Sequence, residues 1–240
     1  MILNTSVPSF VPHVSPNSPR IALIHALFES IAPINAALRE QWPEARSMNL
    51  LDDSLSADIA ELSRGGSEFS KAQNSLTHRL MLLADYARDS GAVAILFSCS
   101  AFGACIDAVK AAHADLLVLK PNEAMIEEAS DSARTPHPVG LITSFAPTLV
   151  SMPNEFPAGV LQRCVLAEGA LTALQAGDAK QHDALVMRSA RQLAKTGCRS
   201  IALAQFSLAH VAPAIRAECG LPVLTTPGSA VSAMRNAFYV

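Results

Sequence analysis

Val93-Ala94-Ile95-Leu96-Phe97-Ser98-Cys99-Ser100-Ala101-Phe102-Gly103 joins a continuous apolar run to a turn of small residues. The run, too short for a helix and rich in branched and aromatic residues, reads as a buried strand. The stretch 104–114 behind it reads as an amphipathic helix. A thiol at such a strand-to-helix turn faces the positive end of the helix dipole, which favours thiolate. Taken alone, Cys99 is either a reactive group or the small buried hydrophobe that most free cysteines are.

The surrounding chain repeats this pattern. Ile21-Ala22-Leu23-Ile24-His25-Ala26-Leu27 recurs as Val139-Gly140-Leu141-Ile142-Thr143-Ser144-Phe145, and Ile95-Leu96-Phe97-Ser98-Cys99-Ser100 recurs as Ile201-Ala202-Leu203-Ala204-Gln205-Phe206-Ser207. The segment 106–111 is answered by 212–217, and Leu117-Val118-Leu119-Lys120-Pro121 by Pro222-Val223-Leu224-Thr225-Thr226-Pro227. Short apolar segments match by chance, but four in one order indicate an internal repeat. Helical periodicity fits 31–41, 70–90 and 104–114 in the first half, and 178–195 and 209–218 in the second. Strands alternating with helices predict an α/β fold of two pseudo-symmetric parallel-sheet lobes, residues 20–136 and 137–240. The polar, proline-bearing stretch 130–138 is the expected boundary. Ligands of such sheets bind beyond the carboxyl ends of the strands, so two facing lobes predict a shared cleft. Cys99 and its counterpart Gln205 approach that cleft from opposite sides.

With 240 residues, 50% hydrophobic and 16% charged, the chain is long enough for a large core and suits sheets buried on both faces. A formal charge of -3 with scattered Lys and Arg argues against a nucleic-acid partner. No apolar stretch approaches the ~20 residues of a membrane span. Five cysteines without paired short spacings indicate neither a disulfide framework nor a metal site, and point to a reducing cytoplasm. Residues 1–19, rich in Pro, Ser and Asn, read as a disordered tail. No glycine-rich nucleotide fingerprint follows either first strand, which argues against a dinucleotide cofactor.

The turns Phe97-Ser98-Cys99-Ser100, Lys120-Pro121-Asn122-Glu123-Ala124 and Ala204-Gln205-Phe206-Ser207 resemble those of the aspartate/glutamate/hydantoin racemase superfamily, which includes arylmalonate decarboxylases and maleate isomerases. The resemblance covers about residues 20–235. It implies two α/β lobes, no cofactor, and a cysteine from each lobe acting as acid or base on opposite faces of a planar carbanion. The chemistry needs that pair, since racemisation requires a proton carrier on each side. It also needs hydrogen-bond donors on the substrate carboxylate. Ser98, Ser100, Asn122, Thr143, Thr148, Thr225 and Thr226 fall on the expected rim, either as such donors or as turn residues with local bonds.

The sequence departs from the pattern where the second cysteine belongs. Gln205 stands there, and an amide binds a carboxylate or enolate but carries no proton near neutral pH. Cys198 and Cys219 lie at the wrong ends of their elements to replace it. His25, at the end of the first strand, is a candidate second proton carrier or a turn histidine bonded to its neighbours. Lys120 is an anion-binding or a surface lysine. Glu123 suits a helix start on dipole grounds, and Asp52 and Asp53 serve acid/base work or cap the next turn. Glu168 matches them in the second half. Arg64-Gly65-Gly66-Ser67 is a flexible loop with the makings of a lid. His113 and His182 read as exposed helix residues, and His210 as pointing away from the cleft.

Three functions compete. The first is a cofactor-independent isomerase or racemase acting by Cys99 at the α-carbon of a small carboxylate such as an amino acid. The second is a one-cysteine decarboxylase, lyase or double-bond isomerase, and the third a non-catalytic carboxylate-binding protein. A small carboxylate substrate and a homo-oligomer are expected.

Overall fold

The computed structural model describes residues 18–62, 69–131 and 137–239. The first sheet holds β1 (Arg20–His25), β2 (Arg46–Leu51), β3 (Ala94–Phe97) and β4 (Leu117–Leu119), in the order β2-β1-β3-β4. The second repeats it with β5 (Val139–Thr143), β6 (Gln162–Leu166), β7 (Ser200–Leu203) and β8 (Val223–Thr225), in the order β6-β5-β7-β8. Every pairing is parallel. The tail at 1–17 and the loop Arg64-Gly65-Gly66-Ser67 lie outside the described residues, as does most of the expected boundary.

Helices α1 (Ile31–Gln41), α2 (Ser54–Leu62), α3 (Phe69–Asp89), α4 (Gly103–Ala112) and α5 (Glu123–Asp131) belong to the first half of the chain. Helices α6 (Ala146–Ser151), α7 (Ala170–Gln175), α8 (Ala179–Ala194), α9 (Ala212–Cys219) and α10 (Thr226–Phe238) belong to the second. The sequence places α1 to the residue. It begins the ninth helix early, because residues 206–211 form a 3-10 turn before Ala212.

Continuous apolar runs mark the inner strands β1, β3, β5 and β7, which are buried, whereas the edge strand β2 is exposed at alternate positions. Along β1, Ala22 and Ile24 pack under α3 and α4, with Leu80, Ala84 and Ile106. Ile21 and Leu23 face the other way, against Ile34, Leu38 and Trp42 of the α1 region. In β5, Gly140 allows close approach of α8: a β-carbon there would meet Leu193 Cδ1 at 3.0 Å.

The lobes exchange helices. Ala230, Val231 and Met234 of α10, from the end of the chain, complete the core over Ile21, Leu23 and Leu96 of the first sheet. Met125, Ile126 and Ala129 of α5 pack instead on Val139, Leu141 and Ala202 of the second. Helix α5 also meets α10, where Ser229 donates to Glu128 at 2.8 Å. Neither sheet has a complete apolar cover without the other half of the chain.

Two histidines are buried where the sequence predicts exposure. His113 caps the end of α4, bonding Val109 O (3.1 Å) and Asp85 (3.0 Å). His182 is fully buried and stacks on His210. Both ring nitrogens of His113 are bonded in place of water, whereas His182 bonds Asp183 through Nδ1 alone.

Candidate active site

The register makes Cys99 and Gln205 structural equivalents. Ile24 pairs with Phe97 in the first sheet and Ile142 with Leu203 in the second. The next residue of each inner strand then makes the same bond: Ser98 N–H donates to Ile24 O and Ala204 N–H to Ile142 O, both at 2.9 Å. Cys99 and Gln205 follow in extended conformation, and each starts a 3-10 turn.

Cys99 is buried at the top of the first lobe's core, beside a small void lined by His25, Ala26, Leu55, Leu80 and Phe102. Burial pushes its thiol up to about 11, and the Ala101 N–H that it accepts lowers it only in part. The expected dipole-stabilised thiolate is therefore not the resting form. The 3-10 turn Ser100–Phe102 separates the sulfur from the first turn of α4, so the dipole is weakly felt. At neutral pH the group is a thiol.

His25 is completely buried with both ring nitrogens engaged. Nε2 lies 3.0 Å from Asn49 Oδ1 and Nδ1 lies 2.8 Å from Ser98 Oγ. Asn49 Oδ1 only accepts, so Nε2 carries the proton and Nδ1 accepts from the Ser98 hydroxyl. Burial lowers the ring's pKa to about 4, with the Asn49 bond opposing. The ring is neutral near pH 7, and it orients Ser98.

Gln205 is equally fixed. Its Oε1 accepts from Thr143 Oγ1 (3.0 Å), Ser144 N (2.5 Å) and Ser144 Oγ (2.9 Å). Thr143 is itself positioned by the Phe145 N–H (3.1 Å). Satisfying the oxygen in this way leaves the carboxamide Nε2 without a partner among the described residues.

Ser100, in the turn after Cys99, meets Thr148 of α6 hydroxyl to hydroxyl at 2.9 Å, and Ser151 Oγ of α6 reaches Ser100 O at 3.5 Å. The structure thus gathers Cys99, Ser98, His25, Ser100, Thr148, Thr143 and Gln205 at one lobe junction. Asn122, Thr225 and Thr226 are not bonded into this group. Asn122 is fully buried with neither amide atom partnered among the described residues, as is Thr226 Oγ1, both at the foot of the exchanged helices.

Other candidates have structural partners. Lys120 pairs with Asp107 (2.8 Å), while Glu123 bridges Lys110 (2.5 Å) and the Lys120 N–H (3.0 Å). Asp52 binds Arg79, and despite burial its carboxyl is held low by Ser54 and Arg79. Sequence reasoning missed Ser144 and Asn49, although Ser144 stands in the repeated first-strand segment beside Thr143. It also missed Glu155. A cavity of about 780 Å3 opens between α4, α5 and residues 151–157 and is lined in part by Ala101, Phe102 and Gly103. Glu155 lines it near the start of α4, without a hydrogen bond among the described residues, and burial pushes its carboxyl up to about 7.

Known proteins agree with this architecture. A glutamate racemase from Bacillus anthracis superposes with a TM-score of 0.71 at 10% identity, covering 93% of this chain and 82% of its own. Allantoin racemase from Klebsiella pneumoniae gives 0.66 at 17%, covering 92% and 88%. A double mutant of arylmalonate decarboxylase in its liganded form gives 0.61 at 15%, covering 91% and 92%. No protein of curated function matches the sequence. The Asp/Glu/Hydantoin racemase family model matches residues 31–234, from α1 into α10 and through both turns that carry Cys99 and Gln205, and the chain belongs to that family.

Proposed function

We propose that this member of the family works with one thiol rather than two, as a cofactor-independent enzyme that protonates a carbanion derived from a small carboxylate. The reading rests on Gln205. Its carboxamide sits at the position equivalent to Cys99, anchored by three donors from Thr143 and Ser144. It neither gives nor takes a proton, so racemisation by two opposed bases lacks its second base. His25 does not supply it, because both of its nitrogens are committed and burial keeps the ring neutral.

A thiol raised to about 11 is suited to enter the reaction as an acid. Decarboxylation of a diacid bearing both carboxylates on one carbon uses it in that form. The bond to one carboxylate breaks, carbon dioxide leaves, and the electron pair stays on the α-carbon, delocalised into the remaining carboxylate. The Cys99 proton passes to that carbon, and the thiolate recovers a proton from water. Gln205 Nε2, held in place through its own oxygen, offers a preorganised donor for the enediolate oxygen. Entry of the ligand requires the Ser100–Thr148 contact to part, since the void beside Cys99 is smaller than any such substrate.

The test is NMR in deuterium oxide with substituted malonates and a panel of amino acids, using wild type and Cys99→Ala. Cys99-dependent loss of carbon dioxide with one deuterium incorporated supports the reading. Cys99-dependent inversion of an amino acid overturns it in favour of a two-base racemase. Turnover that survives Cys99→Ala overturns the role of the thiol. Saturable binding without turnover of any compound identifies a carboxylate-binding protein instead.

A further inference from the structure

His182 and Asp183 on α8 converge with His210 from the 3-10 turn that Gln205 begins. His182 Nδ1 and His210 Nε2 each lie 2.8 Å from the same oxygen, Asp183 Oδ1. The two rings are stacked with centroids 5.2 Å apart and planes at 24°. One ligand-type atom from each residue lies within 4.8 Å of the other two. His182 is fully buried and its Nε2 has no partner among the described residues, whereas Asp183 and His210 reach solvent.

We propose that His182, Asp183 and His210 form a site for a first-row transition-metal dication of the zinc class, one that clamps the turn behind Gln205 onto α8. Two imidazoles and one carboxylate are a recurrent donor set for such ions, with a water from the solvent side completing a tetrahedron. In the metal-free form two N–H groups compete for one carboxylate oxygen. A dication replaces both protons and interacts with all three groups at once. Zinc bonds of roughly 2.0–2.2 Å need only a small outward movement of ligands already gathered this closely.

The surroundings also set the strength. Ligation through Nδ1 of His182 moves its proton to Nε2, which is buried without an acceptor. A ligating histidine without its usual outer partner loses roughly 10–100-fold in affinity, so binding falls in the micromolar range rather than below it. The role is structural. Residues 206–211 lead directly from Gln205, and a metal on His210 ties that turn to a long helix. The site stands whether or not the proposed reaction is correct.

The experiment uses the full-length chain without a histidine tag, treated with chelator and titrated with zinc chloride by calorimetry. The expected result is one zinc equivalent bound with micromolar Kd. A hundredfold excess over Kd raises Tm by roughly 5–10 °C. Cobalt(II) gives visible bands from a low-symmetry site in the wild type. His210→Ala and Asp183→Asn, both at solvent-reaching positions, each weaken binding at least tenfold while far-ultraviolet circular dichroism is unchanged. All five cysteines remain in these variants. Equal zinc affinity in them overturns the proposal, as does the absence of binding by the wild type.

Discussion

Ser100 and Thr148 place their hydroxyl oxygens 2.9 Å apart, each buried and each from a different lobe. Ser100 follows Cys99 directly, and Thr148 lies in the helix that follows the Thr143–Ser144 cradle of Gln205. With the Ser151 Oγ bond to Ser100 O, this contact ties the segment after Cys99 to α6. Ser100→Ala and Thr148→Val are expected to cost about 1 kcal/mol each, and the double variant little more, because both remove the same bond. Urea unfolding of the four proteins measures this coupling. Additive losses would mean that the hydroxyls act separately.

Cys99→Ala is expected to abolish proton transfer with little change in fold, since the sulfur occupies a site next to an existing void. Cys105→Ala, in the same core on α4, leaves activity nearly intact. Turnover of the diacid panel by both variants, with circular dichroism as the control for folding, separates the two thiols.

Gln205→Ala leaves the Ser144 N–H and the hydroxyls of Thr143 and Ser144 without their shared acceptor. Buried donors without a partner cost roughly 1–3 kcal/mol, so the midpoint of urea unfolding falls. Gln205→Glu keeps an acceptor in the cradle and is expected to retain more of the stability. A Glu variant as unstable as the Ala variant would show that the carboxamide nitrogen, rather than the oxygen, is what the fold requires.

His25 and Glu155 make stability depend on pH in opposite directions. The folded pKa of His25, about 4, lies below the ordinary 6.5 because burial disfavours the charged ring. Its contribution is present above pH 6.5 and is lost as pH falls through 4, up to about 3 kcal/mol at roughly 1.4 kcal/mol per pH unit. His25→Gln flattens that limb of a stability–pH curve.

The Glu155 carboxyl is raised from 4.5 to about 7 by burial, with Lys120 opposing and Glu123 and Asp107 reinforcing the rise. Its folded state binds more protons, so its contribution is present below pH 4.5 and lost as pH rises through 7. Glu155→Gln is expected to be more stable than wild type at pH 8 and equal to it at pH 4.5, by denaturant unfolding at both values. The reverse order would place the carboxylate beside a cation that stabilises its charge.

The one-dimensional chain determines a great deal here. Apolar runs such as Val93–Phe97 and their ordered recurrence specify two parallel sheets, because only strands covered on both faces need side chains that are apolar at every position. The repeat also identifies Cys99 and Gln205 as counterparts, and the strand register bears this out. Tertiary structure decided the rest. That α5 covers the second sheet and α10 the first depends on which amphipathic helix meets which face across the molecule, and helical periodicity carries no partner label. The protonation of Cys99 and His25 was likewise not legible, since a pKa follows from the water excluded and the groups brought within hydrogen-bond reach. Asn49 and Ser98 bracket His25 from 24 and 73 residues away along the chain, and only the folded sheet places them on its two ring nitrogens.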